Sequence, residues 1–209
     1  MSEKQNIHVP KTDRMSDMPV DRIVDMHSRG TNASVHKQAQ LYFKQLVEAI
    51  RHCHAHMIVH LDVKPRNCLI GVARQYSTLK LADFGGAWDT SRENAPGVFG
   101  SRWWRCPEMQ PGQAADVWGC GCVLFAMLDG TIPFTEWCGA DGCIAFEGQD
   151  WWKYSMPEAF PTEAKDLVCK VFQKRAARIS VSEIQQHGWL LQLAVDLDAD
   201  TEEEDLAPH

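Results

Sequence analysis

Ala39, Tyr42, Phe43, Leu46, Val47, Ile50 and Cys53 recur at three- and four-residue spacing. That period predicts a helix with one buried face, and Ser34 is its candidate N-cap. The pattern then changes. Met57-Ile58-Val59 and Cys68-Leu69-Ile70-Gly71 are short apolar runs framing a polar loop, and Leu79-Lys80-Leu81-Ala82 follows after a polar turn. Such runs predict short strands, with a hairpin from about 68 to 82. Residues 83 to 112 are rich in Gly, Pro, Ser and Arg and lack a period, and a long irregular segment inside a compact domain points to function. Asp116 to Met127 is apolar almost all round, as expected of a buried central helix. Glu163 to Phe172 and Ser180 to Leu191 predict two further amphipathic helices, and Pro19 to Ser28 a short one ended by Gly30. The expected architecture is mainly α with a small β-hairpin beside a polar loop.

Composition changes this picture little. The chain has 209 residues, 44% hydrophobic and 23% charged, enough for one domain with a sizeable core. Its net charge of −7 is concentrated at one end, where Asp196, Asp198, Asp200, Glu202, Glu203, Glu204 and Asp205 lie. Without these seven the body is balanced, so it carries no general basic field for nucleic acid. The organisation expected is a polar segment over 1–18, a domain over 19–192 and an acidic disordered tail over 193–209. The run Thr201-Glu202-Glu203-Glu204-Asp205 reads as solvated charge, although it also has the make-up of a target for an acid-seeking kinase. Met1 to Lys11 is too polar for a signal peptide. The longest apolar stretch, Val117 to Leu128, is too short to span a bilayer. The eight cysteines sit mostly in apolar runs without a C-x-x-C pair, which favours reduced core thiols in a cytoplasmic or nuclear protein over a zinc site. His52, His54, His56 and His60 cluster at a helix end, where packing and loop roles outweigh metal binding.

The chemistry concentrates in His60-Leu61-Asp62-Val63-Lys64-Pro65-Arg66-Asn67, which puts a carboxylate, an ammonium and an amide on one tight loop. Asp83-Phe84-Gly85 follows 16 residues after Asn67. Then come Gly100-Ser101-Arg102-Trp103-Trp104-Arg105-Cys106-Pro107-Glu108 and Asp116-Val117-Trp118-Gly119. Each piece alone is weak; four in this order and spacing are specific. Over roughly residues 15 to 192 the chain resembles the C-terminal lobe of the protein kinases. A Lys two residues after the loop Asp resembles the serine/threonine branch, and the segments 41–54 and 178–190 look most like the calmodulin-dependent and AMP-activated groups.

The resemblance implies roles. Asp62 would orient the substrate hydroxyl and take its proton, and Lys64 would neutralise the moving phosphoryl group. Asn67 and Asp83 would hold Mg2+ against ATP, with Leu69 on the nucleotide. Ser101 would touch Asp62, Glu108 would pair with Arg178, Asp116 would hold the loop backbone, and His60 would stack on Phe84. These residue types suit phosphoryl transfer, which depends on positioning and charge neutralisation. Protein substrates bearing Ser or Thr are implied as partners, with another kinase or a regulatory subunit as a further partner, and neither nucleic acid nor membrane.

Three departures shape the expectation. The glycine-rich loop, strand Lys and helix Glu of a kinase upper lobe have no counterpart here, and Ile7 to Asp17 reads as a hinge remnant. The expected function is therefore a protein serine/threonine kinase in truncated or partial form, with little activity alone. The alternative is a non-catalytic, pseudokinase-like interaction module, whose uncovered face would leave Leu69 open to water. Leu61 stands where the family usually has Arg, so phosphorylation at Thr90 or Ser91 is not expected to switch the protein by the usual phosphate–arginine contact. Arg66 replaces the more common Glu.

Overall fold

The computed structural model describes residues 18–19, 32–73, 76–92, 94–134 and 154–192. Along the chain run β1 (Met18–Pro19), α1 (Asn32–Ala55), β2 (Ile58–Val59), β3 (Cys68–Ala73), β4 (Tyr76–Leu81), β5 (Trp88–Asp89), α2 (Gln113–Asp129), α3 (Thr162–Val171) and α4 (Val181–Gln185). Helices dominate, and the strands form two small antiparallel sheets, β1-β3-β4 and β2-β5.

The core follows from the apolar period. Ala39, Phe43, Leu46, Val47 and Ile50 of α1 are fully buried in one core with Val117, Cys120, Leu124 and Met127 of α2, and α2 in turn packs on α3, whose Leu167 and Val171 join the same core. Helix α2 is buried from Ala115 to Leu128, which explains why its sequence is apolar on every side. It ends at Gly130, in a left-handed conformation with its N–H bonded to Ala126 O. Gly119 of α2 has a different task. A Cβ there would stand 2.7 Å from both the Cβ and the carbonyl oxygen of Val63, so only glycine lets the helix press directly against the loop that follows β2.

The hairpin appears where the pattern put it. Its ladder runs from Cys68↔Leu81 to Ala73↔Tyr76, and Gln45 Oε1 of α1 accepts from Leu79 N at 2.6 Å, tying the hairpin to the helical layer. Three expectations are corrected. Helix α1 begins at Asn32, so Ser34 lies within the first turn and is not the cap. The last amphipathic stretch is two short helices: α4 closes at Gln185, Gln186 and His187 turn, and a second segment covers 188–192. The break lets Trp189 O accept a hydrogen bond from Gln40 Nε2 of α1, which one straight helix would direct elsewhere. Cys169 is exposed, unlike buried Cys53, Cys68, Cys106, Cys120 and Cys122. Strands β1 and β5, two residues each, are too short to leave a periodic signal. The expected helix over 19–28 lies outside the described residues apart from Pro19, and the acidic segment 193–209 lies wholly outside them. Among the described residues no helix is long and apolar enough to cross a membrane.

Replacing Gly119 by Val is expected to destabilise the fold by about 1–3 kcal/mol or more, because the overlap meets backbone as well as side chain. Gly86→Ala, where a Cβ meets nothing within 4 Å, is the control. Urea unfolding followed by tryptophan fluorescence measures both.

Candidate active site

The loop after β2 is held from below. Asp116, in the first turn of α2 and 1% exposed, accepts from His60 N at 2.8 Å through Oδ2 and from Leu61 N at 2.7 Å through Oδ1. Its Oδ2 also lies 2.8 Å from His54 Nε2 at the end of α1. One buried carboxylate therefore fixes the helix that enters the loop and the loop's first two amides. Leu61 has φ 64°, a left-handed conformation that costs a non-glycine residue roughly 1–2 kcal/mol. The charge-assisted hydrogen bond to its N–H offsets this strain, and the leucine side chain is 4% exposed, within the core. A Cβ at Gly100, itself at φ 66°, would come within 2.5 Å of Leu61 O. Glycine is thus required where residues 100–101 cross the loop.

That crossing completes a cluster. Lys64 Nζ donates to Asp62 Oδ2 and to Ser101 Oγ, both at 2.6 Å, and Ser101 N donates to Asp62 Oδ1 at 2.8 Å. Asn67 Nδ2 donates to Asp62 O at 2.8 Å and lies 3.4 Å from Asp62 Oδ2. Burial pushes the Asp62 carboxyl up, but the hydrogen bonds from Lys64 and Ser101 and the Lys64 charge outweigh it, holding its pKa below the ordinary carboxylate value. Asp62 is therefore ionised at neutral pH and suited to orienting a hydroxyl.

The hairpin brings in Asp83. With Cys68 opposite Leu81, the next positions outward are Asn67 and Ala82, and Ala82 N donates to Asn67 O at 2.8 Å. Asp83 follows at φ 62°, exposed, with Oδ1 accepting from Gly85 N at 3.4 Å. Asn67 is buried and commits its amide N–H to Asp62, leaving its carbonyl oxygen as a donor atom for a cation. One amide oxygen and one carboxylate are the hard oxygen ligands that Mg2+ prefers, and the strand register brings their backbones to neighbouring positions. Among the described residues no group of three His, Cys, Asp or Glu could hold a metal by itself, so a cation here would take its other ligands from water and a nucleotide. Leu69 lies half-buried on β3, paired with Lys80 and Pro19.

Two supports close the site. The His60 ring meets Phe84 edge-on at 4.7 Å, and His60 Nε2 lies 2.9 Å from Ala82 O. Phe84 remains 46% exposed on its other side. Arg178, whose side chain is fully buried, makes a two-pronged pair with Glu108 at 2.6 and 2.9 Å. It also donates to Ala114 O and Gln173 O and lies 4.9 Å from the Trp118 ring. The segment that carries Ser101 is thereby clamped at its far end. Hydrogen bonds bring together Asp62, Lys64, Asn67 and Ser101, and Asp83 follows Ala82, whose N–H is bonded to Asn67 O. Sequence reasoning missed the His54–Asp116 contact and the anchoring of Thr90, whose N and Oγ1 donate to Met57 O at 2.7 and 3.0 Å. For His54 the signal was present as its one-turn spacing from helix-face residues, but the three neighbouring histidines, His52, His56 and His60, obscured it. His52 and His56 stack on each other at the surface, with centroids 4.3 Å apart.

The comparisons agree with this geometry. The family model for the protein kinase domain matches residues 14–190. Similar curated proteins include the probable serine/threonine-protein kinase HSL1 of Saccharomyces cerevisiae, 34% identical over 72% of this chain and 10% of its own length. CBL-interacting protein kinase 31 of Oryza sativa subsp. japonica is 30% identical over 73% of this chain and 35% of its own length. The chain belongs to the protein kinase family. It spans about a tenth and a third of the lengths of these two relatives.

Asp116→Ala is expected to cost roughly 3–5 kcal/mol, since it orphans two buried amides and a histidine; chemical denaturation reads this directly. The lowered Asp62 pKa also gives a pH sign. A carboxyl whose folded pKa lies below its unfolded value contributes stability that is complete above the unfolded value, about 4, and lost as pH falls through the folded one. Asp62→Asn should therefore flatten part of the acid limb of a stability–pH curve and leave pH 6–8 unaltered in shape.

Proposed function

We propose that this chain provides the acceptor-side machinery of a protein serine/threonine kinase, directing the γ-phosphoryl of ATP to a protein hydroxyl. The observation that carries the reading is the Asp62–Lys64–Ser101 cluster, to which Asn67 is bonded through Asp62. In this reading Asp62 accepts a hydrogen bond from the substrate hydroxyl, aligns its oxygen for in-line attack and receives its proton. Lys64, already bridging Asp62 and Ser101, places its charge beside the transferring group. Asn67 and Asp83 would hold Mg2+, which neutralises phosphate charge when bound. The Ser101 segment, fixed by Glu108 and Arg178, keeps the acceptor peptide in register.

The 209 residues lack a recognisable glycine-rich loop, strand Lys and helix Glu, so turnover by them alone is proposed to be low. Losing even one preorganised donor typically costs about 10²–10³ in rate. Burial of Leu61 leaves its position without a phosphate-binding cation, so a phosphate on Thr90 or Ser91 is proposed not to activate the chain.

The deciding measurement is Mg2+-dependent binding of an ATP analogue by calorimetry, followed by phosphate transfer to a Ser/Thr peptide mixture. Binding should vanish in Asp83→Ala with the circular dichroism spectrum retained. Any transfer should fall by about 10²–10⁴ in Asp62→Asn. Nucleotide binding that ignores Asp83 and Asn67, or transfer that survives loss of Asp62, would overturn the assignment.

A further inference from the structure

Helix α1 ends on two surface histidines that the candidate active site does not use. His52 and His56 lie one turn apart on one helix face, and both are exposed. Their rings stand 4.3 Å apart, centroid to centroid, with an interplanar angle of 40°. His56 Nδ1 lies 2.8 Å from His52 O. A carbonyl oxygen only accepts, so Nδ1 carries the proton and the neutral ring keeps its lone pair on Nε2. A hydrogen bond from the other ring nitrogen to a backbone carbonyl is the usual device that fixes a metal-binding histidine in tautomer and orientation. His54, His60 and His187, by contrast, commit a ring nitrogen to Asp116, Ala82 O and Asp166. Packing and loop roles thus account for His54 and His60 but not for this exposed pair. With metal–nitrogen bonds of about 2.1 Å, two imidazoles at right angles on one ion have centroids roughly 4–5 Å apart, so the rings already stand at a chelating separation. The C-terminal end of a helix also carries partial negative charge that favours a cation. Among the described residues no third His, Cys, Asp or Glu joins the pair, so water would complete the coordination shell.

We propose that His52 and His56 chelate a late first-row divalent ion, of the Ni2+, Cu2+ or Zn2+ kind, at the end of α1. Imidazole nitrogen suits these ions, whereas Mg2+ prefers oxygen, so the site is chemically distinct from Asn67 and Asp83 and does not depend on the kinase reading. The ion bridges the last turn of α1, between buried Cys53 and His54 and the Met57 carbonyl that holds Thr90. It clamps the helix end that enters the loop and takes no part in phosphoryl transfer.

The test uses the full chain without an affinity tag, titrated with Ni2+ alone in a calorimeter. The tightest step should saturate at one ion per chain, and excess Mg2+ should not compete with it. His52→Ala and His56→Ala should each weaken that step at least about tenfold, because a chelate becomes a single ligand. Both positions are exposed, so the variants should keep the wild-type circular dichroism spectrum. Cys169→Ser, which removes the exposed thiol, should leave binding unchanged. Saturating Ni2+ should raise the melting temperature of the wild type and not that of the double variant, since only the former gains a ligand of its folded state. Proton NMR gives the signature: substoichiometric Ni2+ should broaden the ring resonances of His52 and His56 before those of other histidines. The absence of saturable binding up to millimolar Ni2+, an unchanged affinity in the double variant, loss of binding in Cys169→Ser, or broadening that begins at other histidines overturns the proposal.

Discussion

The site depends on one buried carboxylate. Asp116 is committed to two backbone amides and a histidine, and it reaches them because it begins a helix that is otherwise apolar. Burying a charge is costly unless hydrogen bonds satisfy it, and here all three partners belong to the segment that must be ordered. The helix α2 can be buried from Ala115 to Leu128 because its one acid in the first turn is fully used. Packing and function meet again at Gly119, where absence of a side chain lets that helix support Val63 from beneath. Rigidity under the loop is what holds Asp62 and Lys64 in hydrogen-bonding geometry with Ser101, a residue 37 to 39 positions away in sequence.

The cluster is built from distant pieces by three devices of different kinds. Backbone pairing of the β3-β4 hairpin delivers Asp83 to Asn67, and a slip of one residue would send it to the opposite face. Steric permission at Gly100 lets the Ser101 segment cross Leu61. Ionic clamping by Arg178 fixes Glu108 and the end of that segment. Catalytic positioning of this kind tolerates errors of about half an ångström, so the devices act on backbone or on buried and half-buried groups.

Much of this was legible in the sequence. The period of α1, the all-apolar α2 and the alternating hairpin each leave a pattern over six or more residues, and the loop, the D-F-G run and the Glu108 and Asp116 motifs fix the site by order and spacing. What stayed hidden had no pattern to leave. Strands β1 and β5 are two residues long and exist only through pairing with β3 and β2. The break at Gln186 and His187 interrupts an apolar period that runs on unchanged past it, because packing of Trp189 near α1 decides it. Ser34 satisfied a capping rule, yet Asn32, an equally good capping type, lies two residues earlier, where the helix begins.

The pairing of Glu108 with Arg178 spans 70 residues, and proteins are made from the N-terminus. At 5–20 residues per second, synthesis needs on the order of 4–14 s to progress from one partner to the other. During that interval the docking segment has no clamp, and the aromatic and aliphatic surface of α2 that awaits α3 is uncovered. Nascent chains are thus more exposed to aggregation during that interval, and a ribosome stalled before residue 178 would hold a chain whose loop has its anchor but whose Ser101 segment cannot lock.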